Sequence, residues 1–220
     1  MTVTLYSAPV SPYGNIAEVA LRMLGIEYKY VPTSPHGKEP DFQRASPLGR
    51  LPAVDDNGFT ISDSDAVATY FDWKVNNNGP QSLYGGDPET RSKVIFISKY
   101  AQTDGRIISV GVMGLMLRGI TDKPTVDKAI AKAQAVLKVL DRLVQDNGHF
   151  VGSTYTMADI AVFCQVLSFI TGGGSIDAYP RLSAFYNKAR ETSVFKETHD
   201  RSLASMKKIT AAMARKKNRL

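Results

Sequence analysis

The amino-acid sequence predicts two domains, a mixed α/β domain followed by an all-α domain. Over residues 1–76, segments with the two-residue alternation of strands are interleaved with segments of helical spacing. Residues 77–88 are rich in Asn, Gly and Pro and are typical of a linker. Residues 89–220 carry only helical periodicity. Because strands separated by helices tend to run parallel, we expect a βαβ unit at the start of the first domain.

The predicted element order of the first domain is β-α-β-α-β-β-α. The segments with strand or helix patterns span residues 2–6, 12–24, 28–31, 41–44, 51–54 and 59–61, followed by a last helix. Asn57-Gly58 separates the last two strands, and both residues tolerate the positive φ of a tight hairpin turn. Ser62 and Asp65 have the spacing of a capping box, which predicts that the last helix begins there.

The second domain is predicted to contain four helices and a helical tail. The helical patterns span residues 89–117, 126–144 and 156–170, and a fourth helix opens at Pro180. Gly105, Gly111 and Gly114 are weak points of the first of these helices, since glycine lowers helix stability. Thr156 and Asp159 form a second predicted capping box.

The basic character of the chain is concentrated at its C-terminal end. The net charge is +6, from 27 Lys and Arg against 21 Asp and Glu. Seven of the basic residues and no acidic one lie in residues 201–220, so the remaining chain is nearly neutral. We expect a solvated terminal helix with Met206, Ile209 and Met213 as its apolar stripe. Nucleic-acid binding is not expected, because no interleaved aromatic residues accompany the charge.

Composition favours a cytoplasmic protein without a metal. No apolar run approaches the ~20 residues of a membrane span, and no signal-peptide pattern opens the sequence. The single Cys164 excludes an intrachain disulfide, and its apolar surroundings predict an inert core thiol. His36, His149 and His199 lack the spacing of metal ligands, so we expect no metal site.

Ser11-Pro12, between the first strand and the first helix, is the most informative local feature. Ser is a good N-cap, and Pro is favoured at the first helical position. The pair presents a hydroxyl at the positive end of a helix, where an anion such as a thiolate is stabilised. The simpler alternative is that Ser11 only caps the helix.

The chain resembles the cytosolic glutathione transferases, and within that family it is most similar to the phi class. The resemblance extends over nearly the full length of the chain and rests on segments in the same order. These segments are residues 5–12, 37–42 and 46–54, the Asp63-Ser64 pair, and the capping box at residues 156–159. The resemblance implies a thioredoxin-like first domain, a helical second domain, a homodimer and a role in detoxification.

The resemblance also implies which residues bind glutathione. Ser11 corresponds to the catalytic serine, whose hydroxyl stabilises the thiolate. The expected glutathione-binding residues are Lys38, Arg50, Leu51, Pro52, Asp63 and Ser64. Lys38 corresponds to a lysine that reaches the glycyl carboxylate, and the family has a cis-proline where this chain has Pro52. Physical chemistry agrees with these expectations: Asp63 supplies a countercharge for an α-ammonium, and Lys38 supplies one for a carboxylate.

Four positions depart from the phi-class pattern. Arg50 replaces a glutamine, Ser46 an asparagine, Asp63 a glutamate, and Asp65 an arginine. The first and the last of these change the charge near the expected glutathione site.

The second substrate is expected in an apolar pocket between the domains. Its candidate wall residues are Tyr13, Met113, Met116 and Leu117, since flexible thioethers suit a permissive site. At helical spacing such residues are also common in a core. Tyr6 is a competing catalytic candidate, because other transferase classes use a tyrosine at the end of the first strand; we expect Tyr6 to pack instead.

The predicted activity is transfer of glutathione to small hydrophobic electrophiles, with glutathione as co-substrate and no further cofactor. A second enzymatic hypothesis uses the same thiolate for isomerisation or for hydroperoxide reduction. A third is a transferase-like binding protein without turnover. The first two differ in the electrophile pocket rather than in the thiol site, so the sequence does not separate them.

Overall fold

A computed structural model describes residues 3–120 and 122–217, with side chains through residue 215. The first domain contains a four-stranded mixed sheet with the strand order β2-β1-β3-β4. The strands are β1 (Val3–Ser7), β2 (Tyr28–Pro32), β3 (Ala53–Asp56) and β4 (Phe59–Ser62). β1 and β2 are parallel, whereas β3 is antiparallel to both β1 and β4. The βαβ unit and the hairpin are therefore confirmed, and Asn57 and Gly58 have the expected positive φ of 53° and 96°.

Helices cover both faces of this sheet. They are α1 (Pro12–Met23), α2 (Pro40–Ala45) and α3 (Ser64–Asn76). One face of the sheet packs on α1 and α3 through a buried apolar cluster, comprising Val3, Leu5, Ala17, Leu21, Val54, Val67 and Phe71. The other face packs on α2, where Tyr6 contacts Phe42. This division follows from the alternation of side chains along a strand.

The second domain is helical throughout its regular elements. These are α4 (Pro88–Gln102), a π-helical segment (Ile107–Gly111), α5 (Val112–Leu117), α6 (Lys123–Leu143), α7 (Met157–Thr171), α8 (Pro180–Arg190) and α9 (Ser193–Lys217). α7 is the central helix, and nearly all of its residues are buried. The predicted capping box at its start is confirmed, with Thr156 and Asp159 bonded reciprocally. No helix among the residues that the structure describes is long and apolar enough to cross a membrane.

The prediction of one continuous helix over residues 89–117 is wrong. α4 ends at Gln102, and the chain turns before it enters the π-helical segment. Gly105 donates its backbone N–H to the carbonyl of Tyr100, five residues back, instead of continuing the α-helical ladder. The Thr103 hydroxyl bonds to the Lys99 carbonyl at 2.7 Å and competes with the helical pattern. The glycine weak point thus becomes a break that turns polar residues toward the first domain.

The predicted capping box at Ser62 and Asp65 is also wrong. The N-cap of α3 is Asp63, whose carboxylate accepts the N–H groups of Asp65 and Ala66 at 2.9 and 3.1 Å. Asp and Ser are equally good N-cap residues. Because Ser62 and Asp63 are adjacent, the sequence leaves the start of α3 ambiguous by one residue. Asp65 is left free for contacts with the second domain.

A buried carboxylate joins the first and the last helix. Glu18 on α1 is fully buried and accepts hydrogen bonds from Arg22 and from the Tyr28 hydroxyl, both at 2.8 Å. It also pairs with Arg201 of α9, whose guanidinium lies 4.5 Å from the centre of the Tyr30 ring. A buried charge is tolerated only when it is paired and hydrogen-bonded, so these contacts fix α1 against β2 and α9.

The solvated basic tail is therefore shorter than expected. Arg201 belongs to the interface between the domains, whereas Lys207, Lys208 and Arg215 are exposed. Met206 is buried and Ile209 is half-buried, in agreement with the predicted apolar stripe. Thr2 at the start of the predicted first strand, and Arg219 of the tail, lie outside the described residues.

Replacing Arg201 with Met is expected to lower the free energy of unfolding by about 2 kcal/mol. The reason is that Glu18 keeps Arg22 and Tyr28 but loses one charged partner, which costs less than the roughly 3–5 kcal/mol of a fully orphaned charge. Urea denaturation measures the change. Arg142→Met on the exposed side of α6 is the matched control and should stay within about 0.5 kcal/mol of the parent. Equal stabilities for the two variants contradict the role given to Arg201.

Candidate active site

Ser11 lies where the chain passes from β1 into α1. Its Oγ accepts the backbone N–H of Gly14 at 3.1 Å, so it is the N-cap that the sequence predicts. A hydroxyl that accepts this bond still has its own hydrogen to donate. Gly14 permits the close approach of α1 to β1, because a Cβ at this position would lie 2.0 Å from Ser7 Oγ. The serine hydroxyl therefore stands at the positive end of α1 with a donor available.

The loop before Ser11 is held by the last helix. The Ser202 hydroxyl of α9 donates to the Pro9 carbonyl at 2.6 Å and accepts from the Asn15 amide at 3.0 Å. Asn15 and Ser202 are both buried. Because Pro9 and Asn15 flank Ser11, α9 fixes the chain on both sides of the serine.

Ser11 opens onto a cavity of about 840 Å³ between the two domains. Its lining residues come from five segments: Ser11, Pro12 and Tyr13; Pro35 and His36; Leu48 to Leu51; Asp63 and Ser64; and Gln102, Thr103, Arg106 and Val110. The volume is near the upper end of the roughly 300–1,000 Å³ found for small-molecule sites. A larger apolar cleft elsewhere and a groove beside α3 are separate from this site.

Asp63 provides a carboxylate at the rim of the cavity. The residue is exposed and has a φ of 100°, a backbone conformation that non-glycine residues rarely adopt. Such conformations cost about 1–3 kcal/mol and are concentrated at functional sites. The hydrogen bonds from Asp65 and Ala66 to its side chain hold it in place.

Ser64 and Asp65 tie α3 to α4 of the second domain. The buried Ser64 hydroxyl donates to the Gln102 side chain at 2.8 Å, and Gln102 donates in turn to Asp65 at 2.8 Å. Asp65 also pairs with Lys99. The departure from the family pattern at Asp65 thus has a structural partner on α4. It also means that the Ser64 hydroxyl is engaged as a donor within the protein.

The loop before β3 brings Arg50 and Leu51 to the cavity. The Leu51–Pro52 peptide bond is cis, as the resemblance implies. The Ser46 side chain donates to the Arg50 carbonyl at 2.8 Å and accepts its N–H at 2.9 Å, which fixes the loop where the family has asparagine. The Arg50 side chain is exposed.

Lys38 is exposed and is not among the residues that line the cavity. His36, two positions earlier, does line it and has a φ of 59°. His36 was not predicted to line the cavity, because histidine spacing in the sequence bears only on metal binding. Its position in a Pro- and Gly-bearing loop beside Lys38 was the available signal.

The four candidates for the wall of the second-substrate pocket have different positions. Tyr13 lines the cavity, and its hydroxyl donates to the Gln102 carbonyl at 2.8 Å. Burial raises the pKa of Tyr13, so it stays protonated at neutral pH. Met113 is buried against Gly172, and Met116 and Leu117 line a separate apolar cleft of about 900 Å³ in the helical domain.

The second domain instead contributes Gln102, Thr103, Arg106 and Val110 to the cavity. These residues were not predicted, because the periodicity of the segment indicates one regular helix. The sequence did contain a signal for them. Thr103 and Arg106 follow Gln102 by one and four residues, which places three polar side chains on one side of an otherwise apolar helical pattern.

Tyr6 belongs to the packing of the first domain. It is buried with Phe42, Ala45 and Ala53 on the α2 face of the sheet. Burial raises its pKa, so it has no tendency to ionise. It is not among the residues that line the Ser11 cavity.

Cys164 on α7 is fully buried, and burial raises the pKa of its thiol well above the usual range. We expect a maleimide reagent to leave it unmodified in the native protein and to label one thiol per chain after denaturation. Mass spectrometry of the two samples makes the comparison. Labelling of the native protein at the rate of a free thiol contradicts the assignment as a core residue.

Comparison with known proteins identifies the family. Residues 5–79 match the N-terminal domain family of the glutathione S-transferases, and residues 104–192 match the corresponding C-terminal domain family. Together these matches cover most of the chain. The chain therefore belongs to the glutathione S-transferase family.

Two curated relatives show the range of similar proteins. Glutathione S-transferase 1 of Zea mays is 27% identical over 202 residues, which cover 84% of this chain and 92% of the maize protein. Human elongation factor 1-gamma is 27% identical over 175 residues. That match covers 74% of this chain but only 38% of the human protein.

Solved structures share the fold at low sequence identity. A delta-class glutathione transferase of Nilaparvata lugens has a TM-score of 0.84 at 22% identity, covering 96% of this chain and 99% of that one. Poplar glutathione transferase F1 has a TM-score of 0.78 at 17% identity, covering 91% and 97%. The two-domain architecture is therefore that of the family.

Proposed function

We propose that this protein activates the thiol of glutathione through Ser11 and transfers the thiolate to an electrophile. The observation that carries the proposal is the Ser11 hydroxyl at the start of α1, which accepts the Gly14 N–H and keeps its own hydrogen for a ligand in the interdomain cavity. A hydrogen bond to the charged form of a thiol lowers its pKa, and the helix end acts in the same direction. The phi class, with its catalytic serine, is the class of the family that we propose.

The magnitude of this effect is sufficient for catalysis. A free thiol with a pKa near 8.5 is only a few per cent ionised at neutral pH. One charge-assisted hydrogen bond together with a helix terminus supplies about 2.7 kcal/mol, which lowers a pKa by about two units. Most of the bound glutathione would then be thiolate at pH 7, without a further cofactor.

The cavity offers groups for both ends of glutathione. Asp63 supplies a countercharge for the α-ammonium, and the positive end of α3 behind Ser64 suits the adjacent carboxylate. Arg50 and His36 both line the cavity, their loops are joined by the hydrogen bond from the His36 N–H to the Gly49 carbonyl at 2.7 Å, and the two side chains suit the glycyl carboxylate. The Leu51 and Pro52 backbone is available for the central residue. Lys38 is proposed in a lesser role, because its exposed position is outside the lining.

A binding protein without turnover is the second candidate function. The match to human elongation factor 1-gamma favours it, since that relative is not named as a transferase. Both candidates predict retention on immobilised glutathione, and only the transferase predicts conjugation of an aryl halide. Retention with hydroperoxide reduction or isomerisation instead of conjugation would assign the same thiolate to another reaction.

Ser11→Ala is expected to lower kcat for conjugation at least about tenfold while KM for glutathione changes little, because the hydroxyl acts on the sulfur and not on the peptide ends. Initial-rate kinetics with 1-chloro-2,4-dinitrobenzene provides the measurement. Ser11→Thr retains a hydroxyl and should recover part of the rate.

Two controls separate this effect from loss of structure. Ser11→Ala also removes a helix cap worth about 1 kcal/mol, whereas Ser11→Gly keeps most of the capping energy and still lacks the hydroxyl. Ser11→Gly should therefore be as slow as Ser11→Ala and more stable. Tyr6→Phe should leave kcat unchanged. Full activity of Ser11→Gly, or a tenfold loss of kcat in Tyr6→Phe, would contradict the assignment of Ser11 as the catalytic residue.

We also propose that the chain forms a homodimer through the face that α3 and α4 present. Ile95 and Phe96 of α4 and Trp73 of α3 are large apolar side chains that are exposed. A groove of about 550 Å³ lies between the two helices, and Ile95 is among its lining residues. Exposed apolar residues on neighbouring helices are typical of an interface. In a symmetric dimer, the same patch on a second copy of the chain would cover them.

Phe96→Glu is expected to convert the dimer to a monomer, since a carboxylate cannot be buried against an apolar partner without a large cost. Size-exclusion chromatography with light scattering gives the mass directly. Gln134→Glu on the exposed side of α6 adds the same charge and should remain dimeric. A monomeric parent protein, or a dimeric Phe96→Glu variant, contradicts this interface.

A further inference from the structure

The helical side of the Ser11 cavity is polar and positively charged, and this bears on the second substrate. The sequence predicts an apolar wall built from methionines, but Gln102, Thr103 and Arg106 are the polar groups that α4 and the following turn supply. Val110 and the Tyr13 ring are the apolar surface beside them. A site of this composition suits a ligand with an apolar body and one anionic group.

Among the residues that the structure describes, Arg106 has no charged partner. The residue is exposed, and none of the ion pairs among the described residues includes it. This distinguishes it from Lys99 of α4, seven residues earlier, which is paired with Asp65. A guanidinium presents a planar fork of donors that matches a carboxylate, so it is available to a ligand in the cavity.

Arg50, the other arginine that lines the cavity, lies on the wall opposite Arg106. Arg50 comes from the loop of the first domain that also contributes Leu51, whereas Arg106 comes from the second domain together with Val110. Glutathione has two carboxylates and one ammonium, for which Arg50, the start of α3 and Asp63 already provide partners. Of the two arginines among the described lining residues, Arg106 is therefore the one that glutathione leaves unused.

We propose that Arg106 selects electrophiles that carry a carboxylate attached to an apolar, activated carbon framework. The inference rests on the proposed function, in which the thiolate held by Ser11 attacks the electrophile. With a chloronitrobenzoate, the sulfur forms a C–S bond to the ring carbon that bears chlorine. The C–Cl bond breaks, chloride leaves with the bonding electron pair, and the thiol proton passes to solvent. Arg106 pairs with the carboxylate and orients the ring against Tyr13 and Val110.

The test compares two substrates that differ only in the group para to chlorine, 4-chloro-3-nitrobenzoate with a carboxylate and 4-chloro-3-nitrobenzamide with a neutral carboxamide of similar size. The ratio of their kcat/KM values, benzoate over benzamide, is measured for the parent protein and for Arg106→Gln. The ratio is expected to fall about tenfold in the variant, the size of a partly exposed charge-assisted hydrogen bond. Arg142→Gln on the exposed side of α6 carries the same charge change and should leave the ratio unaltered. An unchanged ratio in Arg106→Gln overturns the proposal.

Arg50→Gln distinguishes the two arginines. It should weaken turnover of both substrates in equal proportion, because its partner is glutathione in either case. A selective loss of turnover with the benzoate in Arg50→Gln would place the substrate carboxylate at Arg50 instead of at Arg106 and would overturn the proposal.

A binding measurement separates this inference from the proposed catalysis. Calorimetry with S-(4-carboxy-2-nitrophenyl)glutathione and its carboxamide analogue requires no turnover. Tighter binding of the carboxylate that disappears in Arg106→Gln supports the inference even if the parent protein is inactive, an outcome that would overturn the transferase proposal alone. Equal affinities of the two conjugates for the parent protein overturn the inference, whatever the activity.

Discussion

The buried carboxylate of Glu18 is the interaction on which the arrangement of the two domains depends. Removing a carboxylate from water costs several kcal/mol, so the fold is stable only when its partners are in place. Those partners come from α1 itself, from β2 and from α9, through Arg22, Tyr28 and Arg201. One charge therefore requires a helix of the first domain, a neighbouring strand and the last helix of the chain to meet at one point.

The same helix carries the candidate catalytic hydroxyl at its N-terminal end. Glu18 lies two turns after Ser11, and the Ser202 bonds to Pro9 and Asn15 bring α9 up to the serine itself. On the other side of the cavity, the Ser64, Gln102 and Asp65 bonds fix α3 to α4. The cavity is thus bounded by two interdomain contacts built from polar side chains. Preorganisation of this kind reduces the cost of orienting a ligand and a catalytic donor at the moment of reaction.

Local signals predicted most of the fold. The Ser11-Pro12 helix start, the Asn57-Gly58 turn and the Thr156–Asp159 capping box each depend on neighbouring residues only, and all three are confirmed. The break after Gln102 was not predicted, because a single glycine and a threonine side chain outweighed a long helical pattern.

The site was harder to predict where it depends on contacts distant in sequence. The helical spacing of Met113 is compatible with a pocket residue as well as with a core residue. Its burial becomes evident only in the fold, where Gly172 lies against it. In the sequence, Arg201 is part of a basic tail; in the structure, it pairs with Glu18 of the first domain. The polar wall at Arg106 likewise follows from the turn before the π-helical segment, which places the residue on the cavity instead of on an exposed helix face.

The pKa of glutathione bound to the protein tests the central claim most directly. Thiolate absorbs in the ultraviolet, so a pH titration of the complex reports ionisation at the sulfur without any second substrate. For the parent protein we expect a pKa about two units below the ~8.5 of a free thiol. In Ser11→Gly, which keeps most of the capping energy but lacks the hydroxyl, the pKa should rise by at least about one unit. Equal values in the two proteins would contradict the account, since the serine would then cap the helix without acting on the thiol.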